Sequence, residues 1–452
     1  MKIIIAGAGE VGSHLAKMLS SESHEITVID SSSARLEALS AVTDIITVVG
    51  QPSSLVALKE AGIDAADLFI AVYPSSFQDV NIVSSLLAKQ LGAKKVVARI
   101  NNEEYLSYDT KYLFTEMGID LMFYPEKIAA DEIMDQLSRS SSTEGMDFAR
   151  GKLQMAVFKL EENSPLIDMS LKDFSERVST EQLQFRVIAV THNNETIIPK
   201  FNYKFRYHDL VFIITKREGR EGMMRCMGTN NLEISSVMIM GGSHIAAMVA
   251  RGEQKKGKSV KVIEINKDRC NELSQSLPES VMIINGDGRN KELLIDEDIR
   301  NYDAFIALTD SAETNILSCV AAKKLGVRRT IAKVENLEYI SLAEGMGVDA
   351  IINKKLITAA RIFRFTLSDK VRFVKYLNGA NAEVIEFIVA PDARITKAPL
   401  KDLNFPDGAI IGGVIRGGES FIAVGDSQIQ AYDRVAVFAM PEVVRDVDRW
   451  FR

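Results

Sequence analysis

The first dozen residues, MKIIIAGAGEVG, constrain the chain most, because an apolar strand (Ile3 to Ala6) runs straight into three spaced glycines and then a helix start. The order returns at Val237-Met-Ile-Met240, followed by Gly241-Gly242-Ser243-His244-Ile245-Ala246, an offset of 234 (241 − 7). Parallel strands need helical crossovers and are covered on both faces, so short apolar runs separated by amphipathic stretches predict a doubly wound sheet. The first copy supplies such runs at Lys2–Ala6, Glu25–Ile29, Ile45–Val49, Leu68–Val72, Lys95–Ile100 and Asp120–Phe123. A helix is predicted from Pro125 to about Ser138, and a serine-rich cluster follows it.

Beyond that cluster the pattern changes to antiparallel β. Leu153–Leu160, Phe185–Thr191, Thr196–Pro199 and Leu210–Thr215 read as strands, with one helix around Leu171–Val178 and a hairpin connection at His192-Asn193-Asn194-Glu195. Phe185–Thr215 aligns without a gap on Ala409–Ala439 at an offset of 224 (409 − 185), with His208-Asp209 falling on Tyr432-Asp433. The chain is therefore an internal duplication. The expected architecture is α/β: two Rossmann-like doubly wound parallel sheets, each followed by a small β-rich α+β domain. The expected boundaries are 1–123 for the first nucleotide domain, 124–145 for a crossover helix and linker, and 146–229 for the first β-rich domain. The second copy is expected at 230–352, 353–370 and 371–452, with Gly219 to Asn231 as the junction between halves.

Glycines at this spacing after a strand form the dinucleotide fingerprint. Gly7 would make the turn, Gly9 would let backbone approach a diphosphate, and Gly12 would allow close helix packing, with Ala8, Glu10 and Val11 filling the loop. Asp30 ends the second strand 18 residues past Gly12 (30 − 12) and is placed to bind ribose hydroxyls, which favours NAD(H) over a 2′-phosphorylated cofactor. Gly50, Gln51, Tyr73 and Arg99 stand at the next strand ends, facing the same crevice. Arg99 suits either a phosphate or a crevice carboxylate. In the second copy the corresponding positions are Gly241, Ser243, Glu264, Asp287, Thr309 and Lys333. Ser243 and Ala246 replace two of the fingerprint glycines, so that site is expected to be weaker, differently selective, or an empty copy.

No catalytic set and no metal site is expected. Cys226, Cys270 and Cys319 lie far apart, without metal-ligand spacing, and read as buried thiols. His192 and His208 read as solvated loop histidines. The net charge of −7, without a basic stripe, argues against nucleic acid as a partner. No leader is expected, and no stretch approaches the roughly 18–20 apolar residues of a membrane span. Two nucleotide domains without chemistry suggest a sensor. An NAD(P)-dependent oxidoreductase and a sensor with its effector in the β-rich domains are the alternatives.

With GAGEVG and ITVID in the first half and VIE, NGD and ALTDSAETN (Ala307–Asn315) in the second, the sequence resembles the peripheral subunits of Trk-type potassium uptake systems. Ala98-Arg99-Ile100 and Asp407–Glu419 strengthen the resemblance, which spans essentially the whole chain. Those subunits are built of tandem RCK (or KTN) domains. The resemblance implies a cytoplasmic homotetramer, peripheral on the inner face of the plasma membrane, whose nucleotide domains form a ring beneath an integral-membrane, TrkH-like potassium transporter. It also implies that NAD(H), or else ADP or ATP, biases the ring and so the gate. The chain departs from the family in the degraded glycine loop of the second half, with Ser243 and Ala246, and in the loop after the fourth strand of the first half. The segment from Val72 to Asn81 is longer than Leu308 to Asn315 (9 against 7), and Glu10 stands where ATP-reading relatives carry arginine, which favours NAD(H), ADP or AMP there.

Overall fold

The computed structural model describes residues 1–21, 24–138, 144–148, 151–160, 164–180, 184–193, 195–227, 234–363, 371–376 and 382–452. Strands β1 (Lys2–Ala6), β2 (Glu25–Asp30), β3 (Ile46–Val49), β4 (Leu68–Ala71), β5 (Lys95–Arg99) and β6 (Leu121–Phe123) form a six-stranded sheet in the order β3-β2-β1-β4-β5-β6. All of its pairings are parallel; Ile4 of the central β1 lies beside Thr27 on one side and Phe69 on the other. The helices are α1 (Glu10–Ser21), α2 (Ser33–Ser40), α3 (Leu55–Glu60), α4 (Gln78–Gln90), α5 (Tyr108–Glu116) and α6 (Pro125–Ser138). Ile3, Ile4 and Ile5 are wholly buried in succession, which is why this strand reads as an unbroken apolar run instead of an alternating one.

The first β-rich module comprises β7 (Glu144–Phe148), β8 (Leu153–Lys159), α7 (Leu171–Thr180), β9 (Phe185–His192), β10 (Glu195–Ile197), β11 (Leu210–Lys216) and α8 (Arg220–Met227). Its strands pair antiparallel in the order β10-β9-β11-β8-β7. Helix α8 corrects the expectation of a plain junction at Gly219 to Asn231. Its Met223, Met224, Cys226 and Met227 pack into the core with Phe174 and Phe185. Methionine fills irregular space in a short helix that carries three charges, Arg220, Glu221 and Arg225, so the periodicity is hidden in the sequence.

The second copy repeats this order: β12 (Ser236–Met240), α9 (His244–Lys255), β13 (Ser259–Glu264), α10 (Lys267–Ser276), β14 (Val281–Asn285), α11 (Lys291–Asp296), β15 (Ala304–Ala307), α12 (Ala312–Lys324), β16 (Arg329–Lys333), α13 (Glu338–Gly345), β17 (Ala350–Ile352) and α14 (Lys354–Phe363). Its parallel sheet is ordered β14-β13-β12-β15-β16-β17. Strands β18 (Val371–Tyr376), β19 (Glu383–Ile388), β20 (Ala409–Arg416), β21 (Glu419–Ile422) and β22 (Arg434–Ala439) form the last sheet, ordered β18-β19-β22-β20-β21, and α15 (Val444–Trp450) follows.

The chain divides into two compact units. The first joins residues 1–129 to the stretch containing α14, which lies on α1, with Lys355 Nζ 3.6 Å from the Glu10 carboxylate. His14 of α1 has its pKa lowered, by burial first and then by Lys355 and Lys17. The second unit holds the rest, including the end of α6. There Gln136 accepts a hydrogen bond from Arg329 at 3.1 Å, and Met134 sits against Gly252 of α9. Each crossover helix is thus packed, at least in part, on the nucleotide domain of the other half. Within the second unit the two β-rich sheets pack face to face through Met155, Ile188 and Phe212 against Val384, Ile415 and Phe438. Both sheets carry a bulge at the same place, Ile188 in β9 and Gly412 in β20, and a Cβ on Gly412 would meet Ile214 and Ile188.

Candidate functional site

The glycine turn of the first half is built by backbone geometry. Gly7 has φ +116°, and a Cβ on Gly12 would fall 1.8 Å from the Gly7 carbonyl oxygen, so α1 can approach β1 only without one. Gly9 differs. A Cβ there would meet nothing within 4 Å, so its surroundings are open at the start of α1, where free N–H groups favour an anion. Asp30 is 1% exposed, and its Oδ2 accepts the Ala8 amide at 2.7 Å while Oδ1 accepts the Ser32 amide at 2.8 Å. Each oxygen keeps a lone pair for a further donor. Glu10 is exposed and balanced by Lys355. Ala8 in the loop and Val11 in the first turn of α1 are both buried, and Gly50 donates to the Asp30 carbonyl at 3.0 Å. Gln51 is exposed beyond it, its carbonyl accepting from the Ser54 amide.

The far side of the crevice is bracketed by a residue that the spacing argument did not single out. Asn81 of α4 is buried, accepts the Tyr73 amide at 2.9 Å, and donates to the carbonyls of Tyr73 and Arg99 at 3.1 and 3.0 Å. It locks the ends of β4 and β5 together. Tyr73 itself is turned across the turn, its hydroxyl bonded to Ser31. Arg99 points to Glu126 at 3.4 Å, and Lys354 approaches the same oxygen at 3.3 Å, so the guanidinium is committed to a carboxylate.

The second half repeats the scaffold. Oε2 of Glu264 accepts the Gly242 amide and Oε1 accepts the Asn266 amide at 2.7 Å, the counterparts of the Asp30 bonds. Asn315 receives the Thr309 amide at 3.0 Å and donates to the carbonyls of Thr309 and Lys333 at 3.0 and 2.8 Å. Gly241 keeps the turn with φ +97°. Ser243 Oγ caps α9 by accepting the Ala246 amide at 3.2 Å, occupying one of the donors an anion would use. Arg269 lies over the loop, its Nε donating to the Gly242 carbonyl at 2.6 Å. Lys333 pairs with Asp310 at 3.1 Å, and Asp287 with Arg289 in its own turn. Asn81, Asn315 and Arg269 were missed as site residues, although Asn315 closes the motif ALTDSAETN and Asn81 its counterpart.

The β-rich modules hold no catalytic constellation among the described residues. His192, read from sequence as a solvated histidine, is instead bonded through Nδ1 to the buried Asp209 at 2.6 Å. Asp209 also accepts from the Tyr203 hydroxyl at 2.7 Å and the Arg206 amide at 2.8 Å, and burial followed by Asp209 raises the Tyr203 pKa. In the second module Asp433 takes the same place and Arg416 replaces the histidine, at 2.8 and 2.7 Å. The residue before each aspartate, His208 or Tyr432, has φ +67° or +66°. In both modules the carboxylate fastens its turn by accepting a backbone amide three residues back, from Arg206 or Gln430. A cavity of about 980 Å³ lies between the two modules, lined by Phe174, Arg186, Pro199, Phe201, Ile410 and Ile422 among others. Burial lowers the Arg186 pKa, and its guanidinium donates to the Ala423 carbonyl at 2.6 Å.

All three cysteines are buried thiols outside any disulfide, and burial pushes the Cys270 and Cys319 thiols up. Among the described residues no cluster of His, Cys, Asp and Glu could hold a metal ion, and no helix is long and apolar enough to cross a membrane.

Comparison with known proteins bears on both halves. Residues 3–125 and 237–354 match the TrkA-N domain, and residues 155–225 and 384–452 the TrkA-C domain. A Trk system potassium uptake protein TrkA homolog from Archaeoglobus fulgidus is 34% identical over 457 residues, covering 100% of both chains. The Trk system potassium uptake protein TrkA of Halomonas elongata is 30% identical over 100% of this chain and 99% of its own. Among solved structures, the GsuK channel has a TM-score of 0.62 at 15% identity over 99% of this chain and 78% of its own. The GsuK channel bound to NAD has a TM-score of 0.61 at 16% identity, covering 100% and 78%. At these identities the likeness shows the fold, that of RCK domains. The duplicated sheets and modules, the matches to both domain types in each half and the full-length relatives together place this chain in the TrkA family.

Proposed function

We propose that this chain is the nucleotide-sensing regulatory subunit of a potassium uptake system, without covalent chemistry of its own. The observation that carries the reading is the first crevice: an open Gly9 at a helix start, beside a buried acid with lone pairs to spare. Relatives named as Trk potassium uptake proteins, and a GsuK channel solved with NAD and with ADP, support it. NAD(H) is the favoured ligand of the first crevice, with ADP or ATP as the alternative. Gly7, Ala8, Gly9 and Val11 would line the diphosphate and Asp30 would meet the ribose. The chain would act from the cytoplasmic face as a homotetramer beneath an integral-membrane potassium transporter. Nucleotides would shift the gate by as much as their affinities for its two arrangements differ.

Titration of the purified chain with NADH, ADP, ATP and cyclic dinucleotides tests this, followed by potassium flux in vesicles holding the membrane partner. Saturable binding that changes flux is expected. Turnover of a carbonyl substrate by the chain alone would put an oxidoreductase in its place. The cavity between the β-rich modules favours a second effector there, read out by binding that survives loss of the first crevice.

A further inference from the structure

Tyr73 sets the two crevices apart. It follows β4, and its ring passes over the end of β1 to reach Ser31, the residue after β2. The Tyr73 hydroxyl accepts the Ser31 amide at 3.0 Å and donates to Ser31 Oγ at 3.2 Å. On the way the ring edge, Cδ2, lies 2.9 Å from where a Cβ on Gly7 would stand, and the residue is only 7% exposed. Phe77, exposed in the longer loop, packs edge-on against it, with ring centroids 6.4 Å apart. At the equivalent place in the second half stands Thr309, whose hydroxyl turns back to Asn315 at 2.7 Å and spans nothing.

The space between the ends of β2 and β4, beside the acid that would meet a ribose, is where the adenosine half of a nucleotide lies in this fold. We infer that Tyr73 is a latch: it fills the adenosine position of the first crevice and is a determinant of affinity there, leaving Ser31 whenever an adenine nucleotide enters. The inference rests on the reading of the first crevice as a nucleotide site. A ligand must break two hydrogen bonds and displace a buried ring before it gains its own contacts, so its apparent affinity is reduced by the fraction of time the latch is closed. Asn81 holds the backbone of Tyr73 from beneath, so only the side chain has to move.

The test is NADH and ADP affinity, by calorimetry, for the full chain and its Tyr73→Phe and Tyr73→Thr variants. Phenylalanine keeps the ring and loses both bonds to Ser31; threonine is the residue of the second half. Both variants are expected to bind several-fold more tightly, roughly 3- to 10-fold for loss of the latch bonds. Binding gained only in the variants would be the same result in stronger form. Equal or weaker affinity in both, with the wild type binding normally, overturns the latch and leaves the nucleotide site standing. Absence of binding in all three chains overturns the latch and the site together.

Discussion

Oδ2 of Asp30 accepts the Ala8 amide at 2.7 Å, so the acid suited to a ribose also fastens the glycine turn. Asp30→Ala should therefore do two things at once. The buried amide loses its acceptor, costing about 1–3 kcal/mol of stability, and NADH affinity falls as the ribose contact is lost. Denaturant melts run beside binding isotherms measure both; a variant with altered affinity and unaltered stability would contradict the dual role.

Gly9 and Gly12 separate binding from folding. Open surroundings at Gly9 mean that Gly9→Val leaves the fold intact and removes nucleotide binding at the first crevice, because only a ligand meets the new side chain. Gly12→Ala places a methyl against the Gly7 carbonyl and should destabilise by about 1–3 kcal/mol. Circular dichroism melts of the two variants should differ clearly, and unchanged NADH affinity in Gly9→Val would show that the nucleotide binds elsewhere than this crevice.

Ser243 is the cap of α9. Replacing it by glycine should cost only a few tenths of a kcal/mol, since glycine is a tolerable cap. It should also free a donor at the start of α9 and raise the number of adenine nucleotides bound per chain. If the stoichiometry stays that of the wild type, Arg269 over the Gly242 carbonyl becomes the next residue to change.

Acid sensitivity is predicted at the base of the second sheet. Burial pushes the Asp303 carboxyl up, but hydrogen bonds from Ser235 and Ser236 and the Arg328 guanidinium outweigh it and bring its pKa down to about 2. Its folded value is below its unfolded one, so its stabilisation is complete above about pH 4 and is lost as the pH falls towards 2. Asp303→Asn should cost about 1–2 kcal/mol at neutral pH, screened by nearby solvent, and flatten stability against pH in that window. Urea melts from pH 2 to 7 give the comparison.

The parts legible in the sequence were those fixed by short-range pattern. Continuous runs such as Ile3-Ile4-Ile5 announce strands buried on both faces, and the offsets of 234 and 224 (241 − 7 and 409 − 185) expose the duplication. What stayed hidden depends on partners remote in sequence. Nothing in the spacing says that His192 meets Asp209, that Asn81 ties the ends of two strands, or that the Tyr73 ring reaches Ser31. Arg99 could serve a phosphate or a carboxylate by sequence; Glu126 decides between them through a helix that begins beyond the sheet. Helix α8 escaped because methionines and charges blur its apolar face.

The seat of α14 on α1 bears on how the polypeptide can be divided. A fragment ending with the first β-rich module would leave bare the helix face beside His14 and strip Glu10 and Glu126 of their lysines. Such a piece would have to borrow a substitute from another molecule or aggregate. Excision of either repeat is therefore a poor route to a minimal nucleotide domain, because each crossover helix leaves its packing partner behind.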